Sequence, residues 1–124
     1  MAQRTILVVD DDDAIREITQ LALELKGDWS VLTASSGTSA LVLAREHNPD
    51  AVLLDVMMPD MDGPTTLRQM QDDPVTRHIP VILLTAKVQV GRHQVWDDLP
   101  VAGVIPKPFD PMTLSGEVDQ LLAQ

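Results

Sequence analysis

Polar side chains that could do chemistry follow four of the short apolar runs in this sequence. They are Asp10–Asp13, Asp55, Thr85 and Lys107. Carboxylates that converge on one place repel one another, which raises their pKa values unless a cation intervenes. Mg²⁺ is suited to such a place, because it prefers oxygen ligands and is commonly held by one or two carboxylates together with water and phosphate oxygens.

The same set of side chains is suited to phosphoryl transfer. That reaction needs positive charge on the equatorial oxygens of the phosphoryl group and an in-line nucleophile. Lys107 and a metal ion would supply the charge, and a carboxylate can be the nucleophile. The product would be an aspartyl phosphate, which is a labile mixed anhydride.

The elements that would position these residues follow from alternating apolar runs and helical patterns. Strands are predicted over residues 6–9, 30–34, 51–54, 81–84 and 102–105. Helices are predicted over about 14–26, 37–47, 64–72 and 111–122, with a short or irregular one within 87–100. Five continuous apolar strands separated by helices predict a doubly wound α/β fold with a parallel sheet covered on both faces. Such sheets bind ligands at the carboxyl ends of their strands, where the polar positions would meet.

Periodicity also predicts the buried faces of the helices. In the first helix the expected inner residues are Ile15, Ile18, Leu21, Ala22 and Leu25. In the last helix they are Leu114, Val118, Leu121 and Leu122. Both helices would then cover the sheet.

Composition excludes several classes of protein. The 124 residues are enough for one domain. A net charge of −10 repels phosphate backbones, so we expect no direct binding of nucleic acid. Without cysteine there is no disulfide, thiolate metal site or thiol nucleophile. The apolar runs are too short to span a bilayer and the N-terminus does not resemble a signal peptide, so we expect a cytoplasmic protein.

The acidic residues are mostly aspartate, with 15 Asp against four Glu. Asp favours helix caps, turns and metal sites over helix interiors. We therefore expect Asp12 or Asp13 to cap the first helix. Asp60 and Asp62 are expected to serve in turns or caps before the helix that Pro64 begins.

Four stretches of the chain resemble the motifs of response-regulator receiver domains of two-component signalling. They are Ile6–Asp12, Leu53–Gly63, Leu84–Ala86 and Lys107–Phe109. Each stretch alone is weak evidence, but the set is specific because it occurs in this order and at predicted strand ends. The resemblance covers the whole chain and implies a flavodoxin-like three-layer sandwich with strand order 2-1-3-4-5 and five helices.

The resemblance implies a role for each matching residue around Mg²⁺. Asp55 corresponds to the phosphoacceptor and also to a metal ligand. Asp11 corresponds to a direct ligand, while Asp10 would act on the metal largely through water. The backbone carbonyl of Met57 would be a further ligand.

The resemblance also implies which residues handle the phosphoryl group. Thr85 would hydrogen-bond a phosphoryl oxygen. Lys107 would pair with Asp55 before phosphorylation and with the phosphoryl group afterwards. Ala86 is small, as access of the phosphoryl group requires, and Pro108 corresponds to a cis proline that would aim Lys107 into the site.

One position departs from the family pattern. Many members carry an aromatic residue three positions before the lysine, and this chain has Val104 there. The usual coupled movement of the threonine and the aromatic ring is therefore not available. Our hypothesis is that switching relies on repacking of residues 86–91 and the helix that follows.

The function implied is that of a stand-alone receiver of residues 1–124 with no effector domain. It would accept a phosphoryl group from a phosphohistidine of a sensor kinase or histidine phosphotransfer protein. Output would be contact with a downstream protein, and no enzymatic activity beyond the domain's own phosphorylation and dephosphorylation is expected.

Other functions remain open at this point. The chain could be a phosphorelay intermediate, a receiver excised from a longer protein, or a pseudo-receiver that binds partners without phosphorylation. A phosphatase of the haloacid-dehalogenase type would use Asp10 as nucleophile and Asp12 as acid. The threonine usual two positions after the second aspartate of that motif is here Ala14.

Overall fold

The computed structural model describes residues 4–26, 29–86 and 99–123. These residues form five strands and four helices. In chain order they are β1 (Arg4–Val9), α1 (Asp13–Lys26), β2 (Trp29–Ala34), α2 (Gly37–His47), β3 (Ala51–Asp55), α3 (Gly63–Asp72), β4 (Val81–Thr85), β5 (Gly103–Pro106) and α4 (Leu114–Leu122). The helix predicted within 87–100 falls mostly on residues 87–98, which lie outside the described part of the chain.

The sheet confirms the predicted fold class. Its strand order is β2-β1-β3-β4-β5, and all neighbouring strands are parallel. In the register, Val9 is paired with both Ala34 and Leu54, so β1, β2 and β3 end at one edge of the sheet. Asp55 is paired with Leu84, which places the carboxyl end of β4 at that edge too.

Alternation along the central strands creates two cores, one on each face of the sheet. On one face Leu7, Leu54 and Leu83 pack with residues of α2 and α3. On the other face Val8 and Leu53 pack with residues of α1 and α4. β3 and β4 are buried at every position, as strands covered on both faces must be.

The predicted inner face of α1 is wrong in part. Ile18, Leu21 and Leu25 are 46 %, 49 % and 78 % exposed, whereas Leu23 is fully buried beside Ala22. Apolar residues occur on more than one face of this helix, so periodicity could not identify the buried one. Thr19 is also buried, and its hydroxyl is satisfied there because it donates to the carbonyl of Ile15 at 2.6 Å.

The last helix begins three residues later than predicted, at Leu114. The carboxylate of Asp110 accepts from the N–H of Met112 at 2.9 Å, and the carbonyl of Asp110 accepts from the N–H of Thr113 at 3.1 Å. This aspartate turn occupies residues that the periodicity assigned to the helix. Among the described residues, no helix is both long enough and apolar enough to cross a membrane.

The chain turns tightly between β3 and α3. The N–H of Val56 donates to the carbonyl of Leu84, and the N–H of Gly63 donates to the carbonyl of Val56, both at 2.9 Å. A Cβ atom on Gly63 would lie 2.6 Å from the carbonyl oxygen of Asp55 and 2.9 Å from Cα of Val56. Only glycine therefore permits the start of α3 to approach the end of β3 this closely.

We expect Gly63→Ala to lower the free energy of unfolding by about 1–3 kcal/mol, because the new methyl group meets backbone atoms that cannot move aside easily. Gly116→Ala is the matched control, since a Cβ there has no atom within 4 Å. That variant should stabilise the protein by about 0.4–1 kcal/mol. Urea unfolding measures both, and equal effects of the two substitutions would contradict the close approach.

Candidate functional site

The first carboxylate of the site, Asp55, is the last residue of β3. The four residues before it are buried and apolar, and Asp55 itself is 4 % exposed. Parallel pairing with β1 and β4 fixes its backbone at the centre of the sheet edge. The N–H of Met57 lies 3.4 Å from Oδ1 of Asp55, which makes a long hydrogen bond.

Asp10 and Asp11 follow β1, the neighbouring strand. Asp10 is fully buried and Asp11 is exposed. The N–H of Asp10 donates to the carbonyl of Ala34 at 3.1 Å, and the guanidinium of Arg16 donates to the carbonyl of Asp10 at 2.9 Å. Hydrogen bonds from β2 and α1 thus fix the backbone of Asp10.

The other two aspartates of this loop serve α1. Oδ1 of Asp12 accepts from the N–H groups of Ala14 at 2.9 Å and Ile15 at 3.1 Å, which confirms its predicted capping role. Asp13 forms an ion pair with Arg16 instead. Both residues are exposed, so they add little to the pocket itself.

Lys107 follows β5 and reaches both buried carboxylates. The backbone N–H of Lys107 donates to the carbonyl of Thr85 at 2.8 Å, and this hydrogen bond continues the pairing of β4 and β5. Its ammonium lies 2.8 Å from Oδ2 of Asp10 and 3.1 Å from Oδ1 of Asp55. The Lys107–Pro108 peptide is cis, as the family resemblance implied.

The electrostatics of the pocket follow from this geometry. Burial, and next the charge of Asp10, raise the pKa of Asp55, although Lys107 and the N–H of Met57 offset part of that effect. Burial alone would lower the pKa of Lys107, but its hydrogen bonds to Asp10 and Asp55 raise it overall. Lys107 therefore stays charged, and the pocket still carries an excess of negative charge.

The three carboxylates can be donors to one cation. Asp10, Asp11 and Asp55 each offer an oxygen within 4.8 Å of the other two. The excess of buried negative charge favours a cation, and three carboxylate oxygens fit a hard divalent ion rather than a soft one. Exposed Asp11 leaves this donor set open to solvent.

Thr85 and Met57 lie at the same edge of the sheet, whereas Val104 lies within β5, where it is paired with Leu83. Thr85 is buried at the end of β4. The side chain of Met57 is 72 % exposed. Val104, in β5, is half-buried and packs against the core beside α2 and α3. The hypothesis on residues 86–91 concerns positions that lie almost entirely outside the described part of the chain.

Two contacts in the site were missed by sequence reasoning. The carboxylate of Asp10 accepts a hydrogen bond from the ammonium of Lys107, whereas only Asp55 was expected to pair with that lysine. Arg16 holds the Asp10 carbonyl, and it had not been assigned any role. The available signal for Asp10 was its place as the first residue after a strand predicted to be buried on both faces.

An apolar groove lies beside Lys107 on the α1 side of the site. It is lined by Ile15, Ile18, Lys107, Pro108, Phe109 and Pro111. A second apolar groove shares Ile18 and Pro111 with it and lies along α1 between Leu21, Leu25 and Met112. Ile18, Leu21 and Leu25, which were expected to be buried, therefore form an exposed apolar surface that begins beside Lys107.

A family model described as the response regulator receiver domain matches residues 6–119. The chain belongs to this family. The family explains why the matching motifs fall at the ends of β1, β3, β4 and β5, and the receiver resemblance is confirmed over nearly the whole chain.

Similar proteins include longer response regulators. The receiver is 42 % identical over 117 residues to response regulator PleD of Caulobacter vibrioides, covering 94 % of this chain and 25 % of PleD. It is 35 % identical over 120 residues to response regulator Rre1 of Synechocystis, covering 97 % of this chain and 52 % of Rre1. The chain thus spans only about a quarter to a half of these relatives.

Solved receiver structures share the whole fold. The chemotaxis protein CheY4 of Vibrio cholerae is 28 % identical with a TM-score of 0.88, covering 97 % of this chain and 99 % of CheY4. A putative response regulator from Chloroflexus aurantiacus is 32 % identical with a TM-score of 0.88, covering 99 % and 100 % of the two chains.

We expect Asp55→Asn to be more stable than the wild type at neutral pH in metal-free buffer. Because the pKa of Asp55 is raised on folding, the ionised carboxylate destabilises the folded state. The advantage of the variant should be absent below the ordinary Asp pKa, where both states bind the proton. It should grow as the pH rises from the ordinary Asp pKa to the raised pKa of Asp55 in the folded protein, and it should stay constant above that.

Urea unfolding of both proteins in EDTA, repeated from acid to neutral pH, measures this difference in the free energy of unfolding. A difference that does not change over that range would contradict the electrostatic description of the pocket.

Proposed function

We propose that Asp55 accepts a phosphoryl group from a phosphohistidine of a sensor kinase or a histidine phosphotransfer protein. The observation that carries this proposal is the placement of one ammonium group, Lys107 Nζ, 2.8 Å from Asp10 and 3.1 Å from Asp55 at a single sheet edge. Such a pocket can hold a nucleophilic carboxylate beside positive charge. Phosphoryl transfer needs both.

In the proposed reaction a carboxylate oxygen of Asp55 forms a bond to phosphorus. The bond between phosphorus and the imidazole nitrogen of the donor breaks, and that nitrogen keeps the electron pair and takes up a proton. The product is an acyl phosphate on Asp55. Hydrolysis of this bond returns the carboxylate and releases inorganic phosphate, so no further catalytic activity is required of the domain.

Asp10, Asp11, Asp55 and the backbone carbonyl of Met57 would hold Mg²⁺. When bound, the ion supplies positive charge to the phosphoryl oxygens. The clustering of three carboxylate oxygens within 4.8 Å of one another supports this part of the proposal. The raised pKa of Asp55, which comes from burial and then from Asp10, also supports it, because added positive charge would stabilise this carboxylate.

Lys107 and Thr85 would act on the phosphoryl group. Lys107 can exchange its contact with Asp55 for one with a phosphoryl oxygen while keeping its bond to Asp10. Thr85 is the last residue of β4 and is paired with Pro106 of β5, the residue before Lys107. Its hydroxyl would donate to a second phosphoryl oxygen.

Asp55 is a better nucleophile than Asp10 in this geometry. Asp10 is fully buried, its Oδ1 accepts from the N–H of Asp12 at 2.9 Å, and its Oδ2 accepts from Lys107. Both oxygens of Asp10 are thus engaged. This argues against the phosphatase alternative, in which Asp10 attacks the substrate.

Output would be contact with a protein partner, and we propose the cytoplasm as the place where it occurs. The apolar groove along α1 opens beside Lys107, so a partner bound there would reach the carboxylates. The net charge of −10 argues against direct contact with nucleic acid. The downstream target is an unassigned protein.

We expect Asp55→Asn to remove phosphoryl incorporation, because the amide is a poor nucleophile. Wild type, Asp55→Asn and the control Asp72→Asn, an exposed residue at the end of α3, are incubated with radiolabelled acetyl phosphate and Mg²⁺. Label should appear in the wild type and the control only, and EDTA should prevent it.

Circular dichroism checks that the Asp55→Asn variant is folded. Wild-type levels of label in that variant would contradict the assignment. If Asp10→Asn is tested in the same way, loss of label in that variant together with wild-type label in Asp55→Asn would favour the phosphatase.

A further inference from the structure

The loop between β3 and α3 is held at its middle by a contact with α2. The hydroxyl of Thr38, in the first turn of α2, donates to Oδ2 of Asp60 at 3.3 Å. Desolvation would raise the pKa of Asp60, but nearby backbone N–H groups, including those of Met61, Thr38 and Gly37, lower it overall. Because Thr38 is the second residue of α2, the hydrogen bond from its hydroxyl places the Asp60 carboxylate at the N-terminus of that helix.

α2 has no acidic residue of its own in its first turn. Its cap residue Ser36 accepts from the N–H of Ser39 at 3.1 Å, which leaves the first N–H groups of the helix for other acceptors. Asp60 supplies an acceptor and a negative charge from a different segment of the chain. Both are favourable at the positive end of a helix dipole.

The backbone at this contact is closely packed. A Cβ on Gly37 would lie 2.4 Å from Oγ1 of Thr66, 2.9 Å from Cβ of Met61 and 3.0 Å from the carbonyl oxygen of Met61. The first residue of α2 thus contacts the loop directly. Two of these three atoms belong to the side chains of Thr66 and Met61, and the third is the backbone carbonyl oxygen of Met61.

Only two residues separate Asp60 from Met57. Met58 is buried in the core beside α2 and α3, and Pro59 has a fixed φ angle. At the other end of the loop, Asp62 caps α3 through the N–H of Thr65 at 2.8 Å. A restraint on Asp60 therefore limits where the Met57 carbonyl can lie.

We propose that Asp60 is a positioning residue, which holds the loop against Gly37 and Thr38 so that the carbonyl of Met57 is placed to bind the divalent cation. This inference rests on the proposed function, because it takes that carbonyl to be a metal ligand. Asp60 does not touch the ion or the phosphoryl group. It acts through the backbone of residues 57–60.

The test is a titration of the metal-free protein with Mg²⁺. Binding is measured by isothermal titration calorimetry and by NMR, through the amide resonances of Gly37 and Thr38. Asp60→Ala should raise the dissociation constant about tenfold, the lower end of the usual effect of losing an outer hydrogen bond at a metal site. At saturating Mg²⁺, phosphorylation from acetyl phosphate should return to the wild-type rate. The Gly37 and Thr38 amides should respond to Mg²⁺ in the wild type and much less in the variant.

Two further variants separate positioning from simple charge. Asp60→Asn keeps an acceptor oxygen but loses the charge, so it should bind Mg²⁺ more tightly than Asp60→Ala. Thr38→Val keeps the charge of Asp60 but removes the hydroxyl donor. Like Asp60→Ala, it should raise the dissociation constant for Mg²⁺. Asp72→Asn, which removes an exposed charge elsewhere, should leave the dissociation constant unchanged.

Failure of the wild type itself to bind Mg²⁺ would overturn the proposed metal site, and this inference with it. Tight binding by the wild type and by all Asp60 and Thr38 variants would overturn the inference alone. Equal weakening in Asp60→Asn and Asp60→Ala, with none in Thr38→Val, would show an effect of charge and not of position. A lower melting temperature with an unchanged dissociation constant would show a structural role only.

Discussion

The ammonium group of Lys107 holds two buried carboxylates together at the edge of the sheet. Asp10 and Asp55 come from neighbouring strands, are almost wholly removed from solvent and would repel each other without it. A buried charge is tolerated only when it is paired and hydrogen-bonded. Lys107 satisfies that condition for Asp55 only in part, since burial and the charge of Asp10 keep the pKa of Asp55 raised. The remaining demand for positive charge is what makes the pocket suitable for a metal ion and a phosphoryl group.

The rest of the fold serves this edge. Parallel pairing brings the ends of β1, β3, β4 and β5 to one side, and strands buried on both faces give their last residues little freedom. The loops that follow are then restrained separately. Asp12 and Arg16 hold the loop after β1, while Gly63 and Asp60 hold the loop after β3. Exposed Asp11 is left as the carboxylate through which the pocket is open to solvent.

Much of this arrangement could be predicted from the sequence, because buried strands and turn residues leave local signals. The strands and the convergence of Asp10, Asp11, Asp55 and Lys107 are confirmed, and so is the strand order that the family resemblance implied. The buried face of α1 could not be predicted, because its apolar residues occupy several faces and only packing against the sheet selects Leu23. The bond between Asp10 and Lys107 joins residues 97 positions apart, and no local pattern specifies it. Likewise, Asp60 is of a residue type that is common in turns. Its contact with α2 depends on tertiary structure, so the sequence did not indicate it.

We propose that the carboxylate of Asp55, and not that of Asp10, carries the phosphoryl group. Reductive trapping tests this claim most directly, because borohydride converts an aspartyl phosphate to homoserine at the modified position. The wild-type protein is phosphorylated in the presence of Mg²⁺, reduced, digested and mapped by mass spectrometry. We expect homoserine at position 55 and unmodified aspartate at position 10. Homoserine at position 10, or at neither position despite saturating phosphodonor, would contradict it.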